Sequence, residues 1–460
     1  MIPVLSRNSQ HIAVFGLGVS GRATAHALVA GGADVTAWDD NADSRAEAAN
    51  ENIALADPTT LDWADQDALI LSPGVPLTHP EPHPAAQAAL TAGKPVIGDI
   101  ELLFENAGDA NLIGVTGTNG KSTTSALIHH VLQTADVPVQ IGGNFGPPVL
   151  GLNPASADDT IVLELSSYQL DLIQEAGFDV AVFLNLSPDH LDRHGNMDGY
   201  AEAKKRIFRN TRGGRQMAVI GVDDDHGAAI ADDLSGRPGW VVTRVAARGE
   251  LPDGVYVVDG ILRDGNGASC DISAVDTLRG RHNWQNAAAA WAVARARGVA
   301  PDAIARAFET FPGLPHRLET VATIDGIRFV NDSKATNGEA ASRALSSFDD
   351  IYWIAGGVPT EDGLDATIPY ANRIRHAYLI GNAAAAFEKR LKQQNVAVTM
   401  SADLETAVAD ARTDAAADAA EAPVVLLAPA CASFDQYPNF AKRGDHFRDI
   451  VLSLTGESVA

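Results

Sequence analysis

The chain has 460 residues, 46% hydrophobic and 20% charged, with a formal net charge of −25. That length exceeds one core, so two or three domains are expected, and the composition fits a soluble globular protein. The acidic balance opposes binding to nucleic acid or anionic membranes, and no run approaches the roughly 18 apolar residues of a membrane helix.

The N-terminus, Met1-Ile2-Pro3-Val4-Leu5-Ser6-Arg7, turns polar too early for a signal peptide. Cys270 and Cys431 are the only cysteines, which suits a reducing cytoplasm. In so acidic a chain, a phosphate ligand must be held by local N–H groups, a few placed cations and metal ions.

The first strand, His11–Phe15, runs into Gly16-Leu17-Gly18-Val19-Ser20-Gly21 and then a helical Arg22–Leu28. A second strand follows at Asp34–Asp39 and ends in an acid. This is the G-x-G-x-x-G dinucleotide pattern, which by itself says only that a turn faces a phosphate. Ala68–Leu71, ending at Ser72-Pro73-Gly74, and Pro95–Asp99 add two more strand ends, so a first Rossmann-like α/β domain is expected over residues 1–105.

Residues 114–124, GVTGTNGKSTT, follow a strand at Asn111–Val115 and precede a helix at Ser125–Leu132. Strand, Gly-rich turn, Lys-Ser/Thr and helix together bind a nucleotide triphosphate. Gly117 and Gly120 allow the tight turn, with Thr118 and Asn119 between them, and aim N–H groups at phosphate oxygens. The helix N-terminus adds a favourable dipole. Lys121 can reach the β- and γ-phosphates, and Ser122 or Thr123 can meet magnesium. The spacing is a variant of the common phosphate loop, because Val115 stands where its first Gly would be.

Ile161–Leu165 and Val180–Asn185 read as buried strands. Glu164 at the first strand's end is placed as a magnesium ligand. Behind the second, Asn185–His194 gathers two His, two Asp and an Arg, with His190 favoured for metal or phosphate chemistry. The Tyr200–Phe208 helix carries Lys204, Lys205 and Arg206 and reads by itself as a basic solvated face. Residues 213–280 read as short strands appended to the sheet, and Arg281–Asn286 as the approach to an Ala-rich helix. There Asn283 and Asn286 either offer amides to a base or ribose or serve as N-caps. A central ATP-binding domain is thus expected over 106–312.

Phe311–Pro315 breaks the chain, and a Rossmann-like third domain is expected over 313–460, with strand ends at Asn331-Asp332, Gly356-Gly357, Gly381 and Ala428. Arg317 and Lys334 are phosphate candidates. Pro429–Tyr437 forms a polar turn suited to a small carboxylate, with Cys431 expected inert. Ala409–Glu421 reads as a solvated helix.

In this order, GVTGTNGKST, ELSSYQL, NLSPDHLDRH, the AKK helix, RHNWQN, HRLE, NDSKATN and PACASFDQYPNFAKRGDHF resemble the Mur ligase family over nearly the whole chain. The GTNGKST loop is common to Mur ligases and folylpolyglutamate synthase; NDSKATN and the PACASFDQ turn narrow the resemblance to the branch that adds D-glutamate. The resemblance implies three domains: a UDP-binding Rossmann-like domain, a central ATPase domain and a C-terminal domain receiving the amino acid. It also implies that ATP phosphorylates the carboxylate of UDP-N-acetylmuramoyl-L-alanine and that the amine of D-glutamate attacks the acyl phosphate. Two magnesium ions, replaceable by manganese, neutralise the crowded anions.

Carried over by position, the resemblance gives Lys121 and Ser122 to the phosphates and metal, and Glu164, His190 and Lys204 to the metal site, with Lys204 carbamylated. Asn283 and Asn286 fall on the adenine side, and Arg317, Asp332 and Lys334 on the nucleotide. Thr336, Ser433, Phe434 and Phe440 fall on D-glutamate; Val19, Ser20, Ser72, Pro73, Gly74 and Asn144 fall on the UDP-substrate. Two departures stand out. The lysine expected after Gly356-Gly357 is absent from Val358-Pro359-Thr360-Glu361-Asp362, which leaves Thr360, backbone N–H groups or a cation elsewhere for the D-glutamate side chain. Trp38-Asp39-Asp40-Asn41 stands where some relatives have Asp-Thr-Arg. A cytoplasmic monomer acting on small molecules is expected. The competing expectations are a family ligase for another amino acid, an NAD-dependent oxidoreductase and a non-catalytic nucleotide-binding module.

Overall fold

The computed structural model describes residues 1–209, 212–360, 363–418 and 420–455. The chain forms two compact units: Met1–Ile272 with Asn283–Glu309, and Ser273–His282 with Thr310–Ala460.

The first unit holds two sheets. Strands β1 (His11–Phe15), β2 (Asp34–Trp38), β3 (Ala68–Leu71) and β4 (Val96–Ile97) pair in parallel in the order β2-β1-β3-β4. The second sheet contains β5 (Asn111–Thr116), β6 (Val139–Gly143), β7 (Thr160–Glu164), β8 (Val180–Phe183), β9 (Gln216–Gly221) and β10 (Trp240–Ala246). It continues with β11 (Val255–Val258), β12 (Ile261–Asp264) and β13 (Ser269–Asp271), in the order β13-β12-β11-β10-β9-β8-β5-β7-β6. The appended strands are those expected from residues 213–280; the helix Asp225–Ser235 among them was not. Strands β7 and β8 are buried throughout, as central strands of a parallel sheet covered on both faces are, and the apolar runs Ile161–Leu163 and Val180–Phe183 suit that place. One continuous core joins the two sheets, running from Ile12 and Val14 through Ile100 and Leu103 to Leu163 and Phe183.

The second unit carries β14 (Glu319–Ile324), β15 (Ile327–Asn331), β16 (Asp350–Gly356), β17 (Ile374–Ile380), β18 (Ala397–Met400) and β19 (Pro423–Leu427) in the order β14-β15-β19-β16-β17-β18. All pairs but the β14–β15 hairpin are parallel.

Three local readings are corrected. Asn283 and Asn286 lie inside the helix Arg281–Ala296, so neither is its N-cap. The Ala-rich helix spans Leu404–Ala417 and buries Ala407, Val408, Ala411 and Ala415 under β16, β17 and β19, so one face is core. Asp99 starts the helix Asp99–Asn106 and is buried, and β4 is only two residues long.

Candidate active site

In an open parallel sheet, ligands bind beyond the carboxyl ends of strands where the winding reverses direction. β5 is such a strand: the chain fills one side with β7 and β6, then returns to the other with β8. Its end is the Gly117–Gly120 turn, and Gly120 opens the helix Lys121–Thr134. Gly120 has φ +85°, and a Cβ there would lie 2.3 Å from Asn286 Oδ1. Only glycine meets both conditions.

The turn is held from two sides. Thr118 N–H donates to Asn185 O (2.9 Å) and Asn119 N–H to Asn185 Oδ1 (2.9 Å). Asn185 Nδ2 donates back to Asn119 O (3.2 Å) and to Gln285 Oε1 (3.2 Å). Beneath the turn, Thr124 Oγ1 donates to Asn286 Oδ1 (3.1 Å), whose Nδ2 donates to Asn283 Oδ1 (3.1 Å). Asn283 and Asn286 therefore support the turn from below. Asn185 and Gln285 are supports for which sequence reasoning named no role, although NLSPDHLDRH begins at Asn185.

Two lysines converge on the turn. Lys121 Nζ donates to the carbonyls of Gly117 and Thr118 (both 2.8 Å). Lys204 Nζ donates to Gly117 O (2.9 Å) and Thr116 Oγ1 (3.3 Å). Lys204 is 1% exposed, which overturns its reading as a solvated face; its neighbour Lys205 is half-buried and pairs with Glu202. Burial, with Lys121 nearby, pushes the Lys204 ammonium well below its ordinary range.

Glu164, at the end of β7 and 2% exposed, accepts from Asn144 Nδ2 through Oε1 (2.7 Å), while its buried Oε2 has no partner among the described residues. His190 sits at φ +53°, hydrogen-bonds Tyr168 OH through Nδ1 (3.0 Å) and lies 3.5 Å from Asp189. Burial lowers its pKa and Asp189 opposes the shift. Ser122 is buried at the helix start, and Thr123 beside it is half-buried. Among the described residues, no three His, Cys, Asp or Glu side chains form a metal-holding group. The candidate donors are instead a carboxylate, a histidine, a hydroxyl and the Lys204 amine.

The first Gly-rich turn stands at the end of β1, between β2 and β3. Gly21 packs so closely that a Cβ would lie 1.8 Å from Gly16 O. Ser72 Oγ donates to Gly16 O (2.8 Å) and Leu17 N–H to Asp39 Oδ2 (2.6 Å). Val19 is exposed and Ser20 half-exposed at the helix start. Arg193 donates to the carbonyls of Gly74 (2.8 Å), Val75 (3.1 Å) and Pro73 (3.3 Å) and lies over the Tyr168 ring. It thus ties the Ser72-Pro73-Gly74 turn to the histidine segment, a role its sequence position did not reveal.

In the second unit, β15, β19 and β16 are adjacent, which brings Asp332–Thr336, Ala430–Phe434 and Gly356-Gly357 to one sheet edge. Asp332 is buried, accepts from Leu318 N–H (3.2 Å) and is pushed up to about 7 by burial, with Arg317 and Arg343 opposing. Lys334 Nζ lies 4.2 Å from the Phe440 ring centroid. Ser433 is buried, Thr336 half-buried and Phe434 73% exposed. The Cys431 thiol is buried and pushed up to about 12, as an inert cysteine would be. Thr360 Oγ1 is buried without a partner among the described residues; Glu361 and Asp362 lie outside them.

A triphosphate-type turn backed by a buried lysine and carboxylate, on a parallel α/β scaffold, defines a nucleotide-dependent enzyme. Residues 115–294 match the Mur ligase middle domain and residues 316–431 the Mur ligase, glutamate ligase domain. The chain is 49% identical over 464 residues to the UDP-N-acetylmuramoylalanine–D-glutamate ligase of Rhizobium etli, covering 99% of this chain and 97% of that protein. It is 49% identical over 467 residues to the ligase of the same name from Rhizobium meliloti, covering 100% of both. The chain belongs to the Mur ligase family. Among solved structures, UDP-N-acetylmuramate–alanine ligase MurC from Thermotoga maritima shares the fold, with TM-score 0.57 at 16% identity over 97% of this chain and 100% of that one. A pseudomurein peptide ligase type C from Methanothermus fervidus does likewise, with TM-score 0.56 at 19% identity over 97% and 100%. No helix among the described residues is long and apolar enough to cross a membrane.

Proposed function

We propose that this chain is the ATP-dependent ligase that joins D-glutamate to UDP-N-acetylmuramoyl-L-alanine in peptidoglycan synthesis. One observation carries the reading: end-to-end similarity, at 49% identity, to ligases of that name. The buried Lys204 and Glu164 behind the phosphate turn add the chemistry.

A carboxylate resists an amine because its leaving group would be oxide. Transfer of the γ-phosphoryl group to a carboxylate oxygen makes inorganic phosphate the leaving group. The amine then attacks the carbonyl carbon, the C–O bond to phosphate breaks and the amine loses a proton. In this reading the N–H groups of Gly117–Thr123 and the Lys121 ammonium hold the triphosphate, with Asn283 and Asn286 on the nucleotide side. Arg317, Asp332 and Lys334 complete the nucleotide contacts. Val19, Ser20, Ser72, Pro73, Gly74 and Asn144 receive the UDP-substrate, and Thr336, Ser433, Phe434 and Phe440 receive D-glutamate.

The orphaned Glu164 Oε2 fits a cation, and burial that pushes the Lys204 ammonium well below its ordinary range fits carbamylation of that amine. Ser122, Glu164, His190 and carbamylated Lys204 would hold magnesium, or manganese in its place, which supplies neutralisation of phosphate charge. We read segments 1–105, 106–312 and 313–460 as the UDP-substrate, ATP and amino-acid domains of a cytoplasmic monomer.

The absence of the family's lysine after Gly356-Gly357 favours testing a second reading, a family ligase for another amino acid. Phosphate release from ATP and UDP-N-acetylmuramoyl-L-alanine is measured with a panel of amino acids. D-Glutamate is expected to trigger it. Release with L-alanine, a diamino acid or L-glutamate instead replaces the reading. A nicotinamide absorbance change without ATP consumption removes it.

A further inference from the structure

The helix Phe440–Leu454 carries Arg443 in its first turn, 1% exposed and without a role in the reading above. Its Nε donates to Ser333 Oγ (3.0 Å), and its Nη2 donates to Ser333 O (3.0 Å) and Cys431 O (3.1 Å). Ser333 Oγ donates onward to Phe440 O (2.7 Å). The buried Nη1 has no partner among the described residues. It lies beside Gly357, where a Cβ would stand 3.3 Å from Nη1 and 2.3 Å from Ala432 O. One guanidinium thus touches the ends of β15, β19 and β16.

Burying a guanidinium is costly unless its donors are well placed. Here the acceptors are loop carbonyls and a hydroxyl, and Asp435 acts on it only through its field. Three bonds from one planar group hold Ser333 and Cys431 in a set relation, which a lysine's single ammonium on a flexible stem cannot do. Lys334 and Thr336 follow Ser333, and Ser433 follows Cys431 by two residues. Val358–Asp362 lacks the family's lysine, and the buried charge beside the Gly356-Gly357 turn is Arg443.

We infer that Arg443 is a positioning residue: by clasping Ser333 to Cys431 it aligns the amino-acid and nucleotide contacts of this unit. The inference rests on the ligase reading and assigns the clasp within it.

The test is steady-state kinetics of Arg443→Lys, Ser333→Ala and the double variant, with Tm for each and Val451→Ala as a control from the core. Arg443→Lys is expected to raise KM for D-glutamate and for ATP about tenfold, the cost of one good hydrogen bond. KM for the UDP-substrate, whose assigned contacts are in the other unit, should stay within about twofold. Ser333→Ala should raise the first two constants about threefold, and the double variant should be no worse than Arg443→Lys, because both act through one contact. Val451→Ala should lower Tm and leave every KM in place.

Unchanged KM values in Arg443→Lys, or all three rising together as Tm falls, overturn the inference. Should Arg443→Lys not fold, Ser333→Ala decides: unchanged KM for D-glutamate in a folded variant also overturns it. Wild-type phosphate release with D-glutamate reads the ligase assignment separately. If another amino acid triggers release, the clasp is read in the KM of that amino acid.

Discussion

The two glycine-rich turns of the first unit share a backbone plan and differ in charge. Each stands at the end of a strand flanked on both sides, and each leads into a helix N-terminus. At the first turn Ser72 donates to Gly16 O, Asp39 accepts from Leu17 N–H and the buried Asp99 lines the same small cavity as Ser20 and Ser72, while Arg22, which donates to Leu17 O (2.9 Å), is paired with Glu47 and Glu51. At the second, Lys121 and Lys204 both reach Gly117 O. Backbone N–H groups make a phosphate cradle in either place. In the proposed reading Lys121 is the placed cation that lets the second turn gather a triphosphate in a chain of net charge −25.

The contrast between the turns fails most visibly if the lysines of the second turn prove dispensable. Lys121→Ala is expected to cut turnover a hundredfold or more, since one lost charge contact to the reacting phosphate is worth on the order of 3 kcal/mol. Phosphate release at saturating ATP checks it, and near-normal turnover would sink the assignment. Lys204→Ala should be similarly impaired, and added short carboxylic acids should partly restore it if a carbamate supplies the missing oxygens. A mass spectrum showing a free amine in active, metal-loaded enzyme would reject that account.

The glycines sharpen the contrast. Gly120→Ala meets φ +85° and the Asn286 amide at 2.3 Å, so it should lower kcat/KM for ATP about tenfold or more. Gly18→Ala faces nothing within 4 Å at φ −63° and should be tolerated, with ATP kinetics and Tm almost unchanged.

The smallest effect concerns Asp99. Burial raises its pKa from 3.8 to about 6, so its favourable contribution is complete below pH 3.8 and is lost as pH rises through 6. Asp99→Asn should therefore stabilise the protein at pH 8 by about 1 kcal/mol, a cautious fraction of what a two-unit shift allows. The gain should shrink as pH falls towards 5. Denaturant unfolding at several pH values checks it, and a gain that grows at low pH would contradict the burial of an isolated carboxyl.

Much of this was legible locally. The strand-turn-helix units at Gly16 and Gly117 stood where expected, because apolar runs bounded by glycine have few other solutions. The helix Met197–Lys205 shows where legibility stopped. Lys204, Lys205 and Arg206 look alike in sequence, and only the resemblance to a family separated Lys204. The signal lay in helical period: Tyr200, Ala201, Ala203 and Lys204 form the buried stripe, so a lysine occupies a core position. The expected approach at Arg281–Asn286 failed for a related reason: polar amides usually mark helix starts, but here they are helical residues facing the underside of a loop.

By itself, the sequence determined the α/β class, the two phosphate-type turns and the family, because these reside in short-range patterns of glycine, apolar runs and ordered motifs. Tertiary structure alone decided which polar groups lose water. It buried Lys204 against Gly117, left Glu164 Oε2 unpaired, set Asn286 beneath Gly120 and placed Arg443 under three strand ends. Burial and convergence depend on strands distant in the chain becoming neighbours in the sheet, and no local pattern of residues encodes that.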